Sequence, residues 1–193
     1  TYYQYYNASA GPAFLHRLLV APLERFEQRT VAQVLNDLML ELWIEPGRAL
    51  LDQCGLTLAL VTFVKRSLKG EWLVGLDMNK SNLSSIEDEM LCDPLVFSHH
   101  EQAMKDDTSE QGVYFVGNLC QEHDVIYRHK TFLPRLPCRD DLVVFVNTAA
   151  YHMDFNESAS IQHPTAKKLV VVETGATTFR LHEDYLYQPL LMQ

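Results

Sequence analysis

Three short segments of this 193-residue chain gather residue types that can do chemistry. The first is Glu45-Pro46-Gly47-Arg48, which ends the apolar run Leu42-Trp43-Ile44. Glycine lets a backbone approach an anion closely, and the neighbouring amide can donate to it. Arginine adds a planar fork of donors that grips phosphate or carboxylate. At the C-terminal end of a strand, a carboxylate, a glycine and an arginine make an anion and cofactor site; the plainer alternative is a polar turn with a surface ion pair. The second segment is Gly117-Asn118-Leu119-Cys120-Gln121-Glu122-His123-Asp124, after the β-forming run Val113 to Val116. Cys120 is either a reactive thiol, with His123 near in sequence to favour the thiolate, or a small buried turn residue. The third is Asn147-Thr148-Ala149-Ala150-Tyr151-His152-Met153-Asp154-Phe155, after Leu142 to Val146. Its two alanines leave room for a close approach, and the Tyr151 hydroxyl can donate to a phosphate; the alternative is a core aromatic at a helix start.

Other chemistry finds less support. His99 and His100 are adjacent in an acidic stretch, neighbouring side chains rarely aim at one metal, and no other His or Cys stands at a ligand spacing, so no metal site is expected. There is no Gly-x-Ser-x-Gly elbow and no Gly-rich phosphate loop, which argues against a serine hydrolase or a nucleotide enzyme.

The elements that must position these segments follow from periodicity. Residues 1–12 carry Tyr2, Tyr3, Tyr5 and Tyr6 and then Ser9-Ala10-Gly11-Pro12, and read as an irregular loop. Leu23, Phe26, Val31, Val34, Leu35 and Leu38 recur at the spacing of an amphipathic helix over Leu23 to Leu40. Glu41 to Glu45 reads as a short strand stopped by Pro46-Gly47, so helix then strand gives an α/β unit. Beyond Gly47 the chain is mainly β: strands are expected at Leu56–Val64, Glu71–Leu76, Val113–Val116 and Leu142–Val146. A hairpin is expected from Lys168–Glu173 and Thr177–Leu181 around Thr174-Gly175. Ser84 to Gln111 reads as a long polar excursion, and no internal repeat is visible.

Composition bounds the function. Apolar residues at 47% and charged residues at 21% support a packed core. A net charge of −9 argues against a nucleic-acid surface, which needs a basic face. No apolar run reaches the length that spans a bilayer, no basic-then-apolar signal-peptide pattern is read at the start, and four cysteines without a CxxC pair read as reduced thiols in a cytoplasm.

In order and separation, the three segments resemble those of the diaminopimelate and ornithine decarboxylase family, fold-type III enzymes that use pyridoxal 5'-phosphate. That family shows a Glu-Pro-Gly-Arg strand end, then a Gly-x-x-Cys-acid loop, then a Gly-Ala-Tyr turn, and the likeness runs from about Leu23 to the C-terminal hairpin. It implies α/β plus all-β architecture: residues 1–46 as the end of a β/α barrel of the alanine-racemase type, and residues 47–193 as a C-terminal β-barrel or sandwich domain. It further implies that Glu45 faces the coenzyme's pyridine nitrogen, that Gly47, Arg48 and Tyr151 contact its phosphate, with Arg48 also a candidate for the substrate carboxylate, and that Cys120 reaches in from the partner of a homodimer to protonate the carbanion. Gln121 stands where the family has an acid that reads a distal ammonium, and Asp77 to Leu83 replaces an Arg-Pro-x-x-Tyr segment. The expected substrate is therefore an amino acid or amino-acid conjugate other than diaminopimelate, lysine or ornithine. The Tyr151 to Ser158 variant resembles a branch found in siderophore and other secondary-metabolite pathways. The family's coenzyme-binding lysine lies in an N-terminal barrel portion that nothing before residue 23 supplies, and Lys65, Lys69 and Lys80 fall in the β domain. The chain then reads as the C-terminal part of a decarboxylase, with two competing readings: a non-catalytic decarboxylase-like partner, and a racemase on the same scaffold.

Overall fold

The structure is a computed structural model describing residues 9–83, 92–98, 110–153 and 166–184. The tyrosine-rich start, His99 and His100, most of the excursion and Asp154 to Ser158 lie outside the described residues. The chain divides into two units, Thr1–Phe155 and Asn156–Gln193.

The first unit opens with helix α1, Gly11–Val20. Gly11-Pro12 read as loop in the sequence, yet the pair begins this helix, because a proline in the first turn gives up only an N–H that has no partner there. Strands β1 (Pro22–Leu23) and β2 (Arg29–Thr30) then form a small hairpin that leads into α2, Val31–Asp37. The single helix expected over Leu23 to Leu40 is not there. Glu27 and Gln28 take positive φ, 53° and 63°, and turn the chain between β1 and β2. Thr30 then starts α2 with a capping box: its hydroxyl accepts the Gln33 N–H, and the Gln33 side chain accepts the Thr30 N–H. Such a reciprocal cap fixes a helix start more strongly than apolar spacing extends it backwards.

Residues 41–45 do not form the expected strand. Leu42, Trp43 and Ile44 are 47%, 86% and 55% exposed, and no strand among the described residues pairs with them. Apolar β-formers need a neighbouring ladder to satisfy their backbone groups, and none is offered here.

After Gly47 the β reading holds. A 3-10 turn, Gly47–Leu50, precedes β3 (Leu56–Arg66), β4 (Trp72–Leu76), β5 (Leu95–Phe97), β6 (Gln111–Val116), β7 (Thr131–Leu133) and β8 (Leu142–Val146). They form one six-stranded sheet in the order β5-β8-β3-β4-β6-β7. The short strands β5 and β7 were not expected, and β5 places part of the excursion in the sheet. The eleven-residue β3 is the organiser. Its first half pairs antiparallel with β8, Leu56 opposite Val146, and its second half pairs with β4 past a register shift between Val61 and Phe63. That shift bends the sheet, as bulges do. β4 and β6 run parallel, so the chain leaves by way of β5 before returning.

The inner face holds the core: Val74, Leu76, Leu83, Val113, Phe115, Ile126, Val143 and Phe145 are fully buried. Phe115 meets Phe145 edge-to-face at 6.0 Å, tying β6 to β8. At the entrance to β8, buried Asp141 accepts from Arg135 and from the Cys138 N–H, each at 2.8 Å. Burial disfavours its charge, yet these bonds, one from the Ser98 side chain and the Arg135 charge prevail, so its pKa is lowered.

The described part of the second unit is an antiparallel hairpin, β9 (Leu169–Gly175) and β10 (Thr178–Glu183). Its turn falls on Ala176-Thr177, two residues beyond the expected Thr174-Gly175, because β9 continues until Gly175 pairs with Thr178. Among the described residues no helix is long and apolar enough to cross a membrane.

Candidate functional site

Pairing of β3 with β8 decides what meets what. Leu56 begins β3 and Val146 ends β8, so the segment before β3 must lie beside the segment after β8. These are the first and third sequence motifs. Three hydrogen bonds staple them. Asn147 accepts the Gln53 N–H through Oδ1 at 2.7 Å and donates to Asp52 at 2.9 Å, and the Thr148 N–H donates to the Gly55 carbonyl at 3.0 Å. Inside the staple the Thr57 hydroxyl meets that of Thr148 at 2.9 Å. Ala149 is where close approach is needed: a side chain on Gly55 would overlap its backbone and Cβ. The room left by that alanine is thus taken up by the chain itself.

The far end of the staple holds the candidate site. Arg48 Nη1 lies 2.9 Å from His152 Nε2, across 104 residues of sequence, and the guanidinium sits 5.5 Å from the centre of the Tyr151 ring. Gly47 has φ +52, and a Cβ there would lie 3.1 Å from the Tyr151 hydroxyl. Glycine is thus needed twice, for the left-handed backbone and for the space. Tyr151 is partly exposed and not at a helix start, which sets aside the core-aromatic alternative. Asn147, Ala150 and Tyr151 all take positive φ, at 56°, 58° and 74°. Non-glycine residues in that region cost about 1–3 kcal/mol each and gather where surrounding structure holds a functional loop in place. Glu45 is exposed two residues before Gly47. The donor set of Gly47 backbone, Arg48 fork and Tyr151 hydroxyl, with a glycine where any side chain would crowd the hydroxyl, fits an oxyanion such as a phosphate or carboxylate.

The second motif is elsewhere. The loop after β6 is closed at its base by a bridge between Val116 and Val125 and by the Gly117 N–H donating to the Asp124 carbonyl at 2.8 Å. Asp124, buried in contrast to its neighbours, organises the loop from within: Oδ1 accepts the Lys80 N–H and Oδ2 the Leu119 N–H, both at 2.8 Å. A Cβ on Gly117 would overlap that carboxylate. Cys120, Gln121, Glu122 and His123 are thereby presented outward, so Cys120 is not a buried turn residue. β8, β4 and β6 run in one direction, so the Cys120 and Tyr151 loops leave the same end of the sheet, but β3 and β4 lie between their strands. Three strand spacings are about 14 Å along the sheet.

Sequence reasoning thus named Gly47, Arg48 and Tyr151, which the fold brings together, and Cys120 with Gln121, whose loop follows a strand three places away in the same sheet. It left His152, Asn147 and Asp124 without roles. Each lies inside one of the three segments, and the available signal was a polar residue at the edge of a turn.

Comparison with known proteins places this architecture. No protein-family model matches the chain. The uncharacterized protein y4yA of Sinorhizobium fredii (strain NBRC 101917 / NGR234) is 30% identical over 177 residues, which cover 90% of this chain and 37% of that protein. A diaminopimelate decarboxylase crystal structure superposes with a TM-score of 0.59 at 20% identity, covering 78% of this chain and 36% of that one. The diaminopimelate decarboxylase of Helicobacter pylori, complexed with L-lysine, gives 0.56 at 19% identity, with coverage of 78% and 34%. The fold is that of a decarboxylase C-terminal domain. The chain spans about a third of the length of the proteins it matches.

Proposed function

We propose that this chain is the C-terminal portion of a pyridoxal-phosphate-dependent decarboxylase that removes the α-carboxylate from an amino acid or amino-acid conjugate. The observation that carries the reading is the convergence of Gly47 and Arg48 with Tyr151 at one end of the β3–β8 pair, in a donor set that fits the coenzyme's phosphate. The Gly47 backbone and the Tyr151 hydroxyl hold phosphate oxygens, and Arg48 grips the phosphate or the substrate carboxylate. Glu45 holds a proton on the pyridine nitrogen. When bound, the coenzyme would supply the electron sink that loss of carbon dioxide requires.

Cys120 belongs to the site of the partner subunit in a homodimer, where its thiol gives a proton to the α-carbon and is reprotonated from solvent. The distance between the Cys120 and Tyr151 strands within one sheet supports delivery from a second copy. Gln121 beside it offers an amide where an ammonium would want a carboxylate, which favours a substrate whose far end is neutral or acidic. Such conjugates suit siderophore or other secondary-metabolite assembly in the cytoplasm. The coenzyme-binding lysine comes from the barrel portion of the full-length protein. Apolar surface left bare by this chain, Leu56, Leu58 and Leu60 on β3 with Leu95 and Phe97 on β5, supports further polypeptide packing against it.

The test is made on the full-length protein. Purified with pyridoxal phosphate it should show a visible coenzyme band that borohydride bleaches, and should release carbon dioxide from one of a panel of free and acylated amino acids. A colourless protein that releases none, or one that only racemises its substrates, overturns the reading.

A further inference from the structure

His152 is 2% exposed and is a buried titratable group to which the proposed reaction assigns nothing. A guanidinium can only donate, so a 2.9 Å contact from Arg48 Nη1 makes His152 Nε2 an acceptor. An imidazole with a bare Nε2 carries its proton on Nδ1 and is neutral. Arginine stays charged at any working pH, so the pair has one consistent protonation state. The Tyr151 ring sits against the same guanidinium, and Tyr151 and His152 are consecutive residues of a loop held at positive φ. The loop therefore meets Arg48 twice, once by a ring and once by an acceptor, and each contact constrains the plane of the fork.

We propose that His152 is the positioning residue for Arg48: as the neutral Nδ1–H tautomer it takes one guanidinium N–H and, with the Tyr151 ring, fixes the fork toward the oxyanion the site binds. The identity of that oxyanion rests on the function proposed above, and the pairing does not. A long flexible side chain held in one orientation binds its ligand without first losing rotamer freedom. The arrangement also separates duties in the loop, with Tyr151 facing the ligand and His152 facing the residue that binds it.

Two measurements on the full-length protein test this. Long-range proton–nitrogen NMR of the His152 ring, assigned by its loss in His152→Gln, should show the neutral Nδ1–H tautomer, and Arg48→Ala should abolish that preference. An Nε2–H tautomer or an imidazolium in the wild type overturns the proposal. Binding is then measured with inorganic phosphate, with pyridoxal phosphate, and as KM for substrate, to separate the two sources of oxyanion. Arg48→Ala and His152→Leu should each weaken the arm that Arg48 serves by roughly 10- to 100-fold, the scale of one hydrogen bond to a charged group. The double variant should be no weaker than Arg48→Ala alone, and His152→Gln, which keeps an acceptor, should restore most of the loss. Full additivity of the two substitutions, or no rescue by glutamine in a protein that melts like wild type, overturns it. If no variant and no wild type holds the coenzyme while the tautomer behaves as described, the coenzyme reading falls and the pairing stands.

Discussion

Substituting Gly47 by alanine tests the site at its tightest point. The backbone there has φ +52, and a Cβ would lie 3.1 Å from the Tyr151 hydroxyl. An alanine in the left-handed region costs about 1–2 kcal/mol relative to glycine. The methyl must also push the hydroxyl away by a few tenths of an ångström, which moves the donor proposed for the phosphate. Losing one such hydrogen bond to a charged group costs about 1.5–3 kcal/mol, or roughly 10- to 100-fold in affinity. Gly47→Ala in the full-length protein should therefore bind pyridoxal phosphate about 10- to 100-fold more weakly in a fluorescence titration, while its melting temperature falls by only a few degrees. Tyr151→Phe should weaken binding to a similar extent. The double variant should lose less than the sum, because the crowded hydroxyl is gone. Coenzyme affinity unchanged in Gly47→Ala would refute the reasoning, since both the backbone and the hydroxyl would then lie outside the binding site.

Three further outcomes are expected. Asp124→Asn puts an NH2 where the carboxylate accepts a backbone N–H, so about 1–3 kcal/mol of stability is lost locally; hydrogen exchange should quicken over Gly117 to Cys120 and turnover should fall. Unchanged exchange would show that the carboxylate does not hold the loop. Cys120→Ala should slow turnover or divert products while coenzyme stays bound, and wild-type kinetics would remove Cys120 from the reaction. Asp141 has a lowered pKa when folded, so its contribution to stability is complete above about pH 4, the unfolded carboxylate value, and disappears as pH falls through the folded one. Asp141→Asn should then cost about 2–3 kcal/mol at pH 7 and flatten the acid limb of the denaturation profile; a variant with the wild-type acid limb would contradict this.

The long strands were legible because their signal is local. Leu142–Val146 matches its expected bounds residue for residue, and β3 and β4 differ from expectation only at their ends. β5 and β7 are three residues each, too short for alternation to stand out. The helix over Leu23 to Leu40 failed because apolar spacing cannot see Glu27 and Gln28 turning the chain or Thr30 capping a new start. The strand at 41–45 failed because a strand is a property of a pair, and its composition describes one member. At the site, residue types were readable and partnership was not. Arg48 and His152 are brought together by the register of β3 against β8, a non-local fact, and His152 went unassigned because a lone histidine in a turn has no partner in its own segment. The close approach at Ala149 was legible, but what approaches was not, because that neighbour is Gly55, far back in the chain.

The most direct measurement is a crystal structure of the full-length protein with pyridoxal phosphate. It should place the phosphate within hydrogen-bonding distance of the Gly47 backbone and the Tyr151 hydroxyl, and the Cys120 loop of a second copy across the same pocket. A phosphate bound away from Gly47 and Tyr151, or a pocket closed by no second copy, would contradict the account.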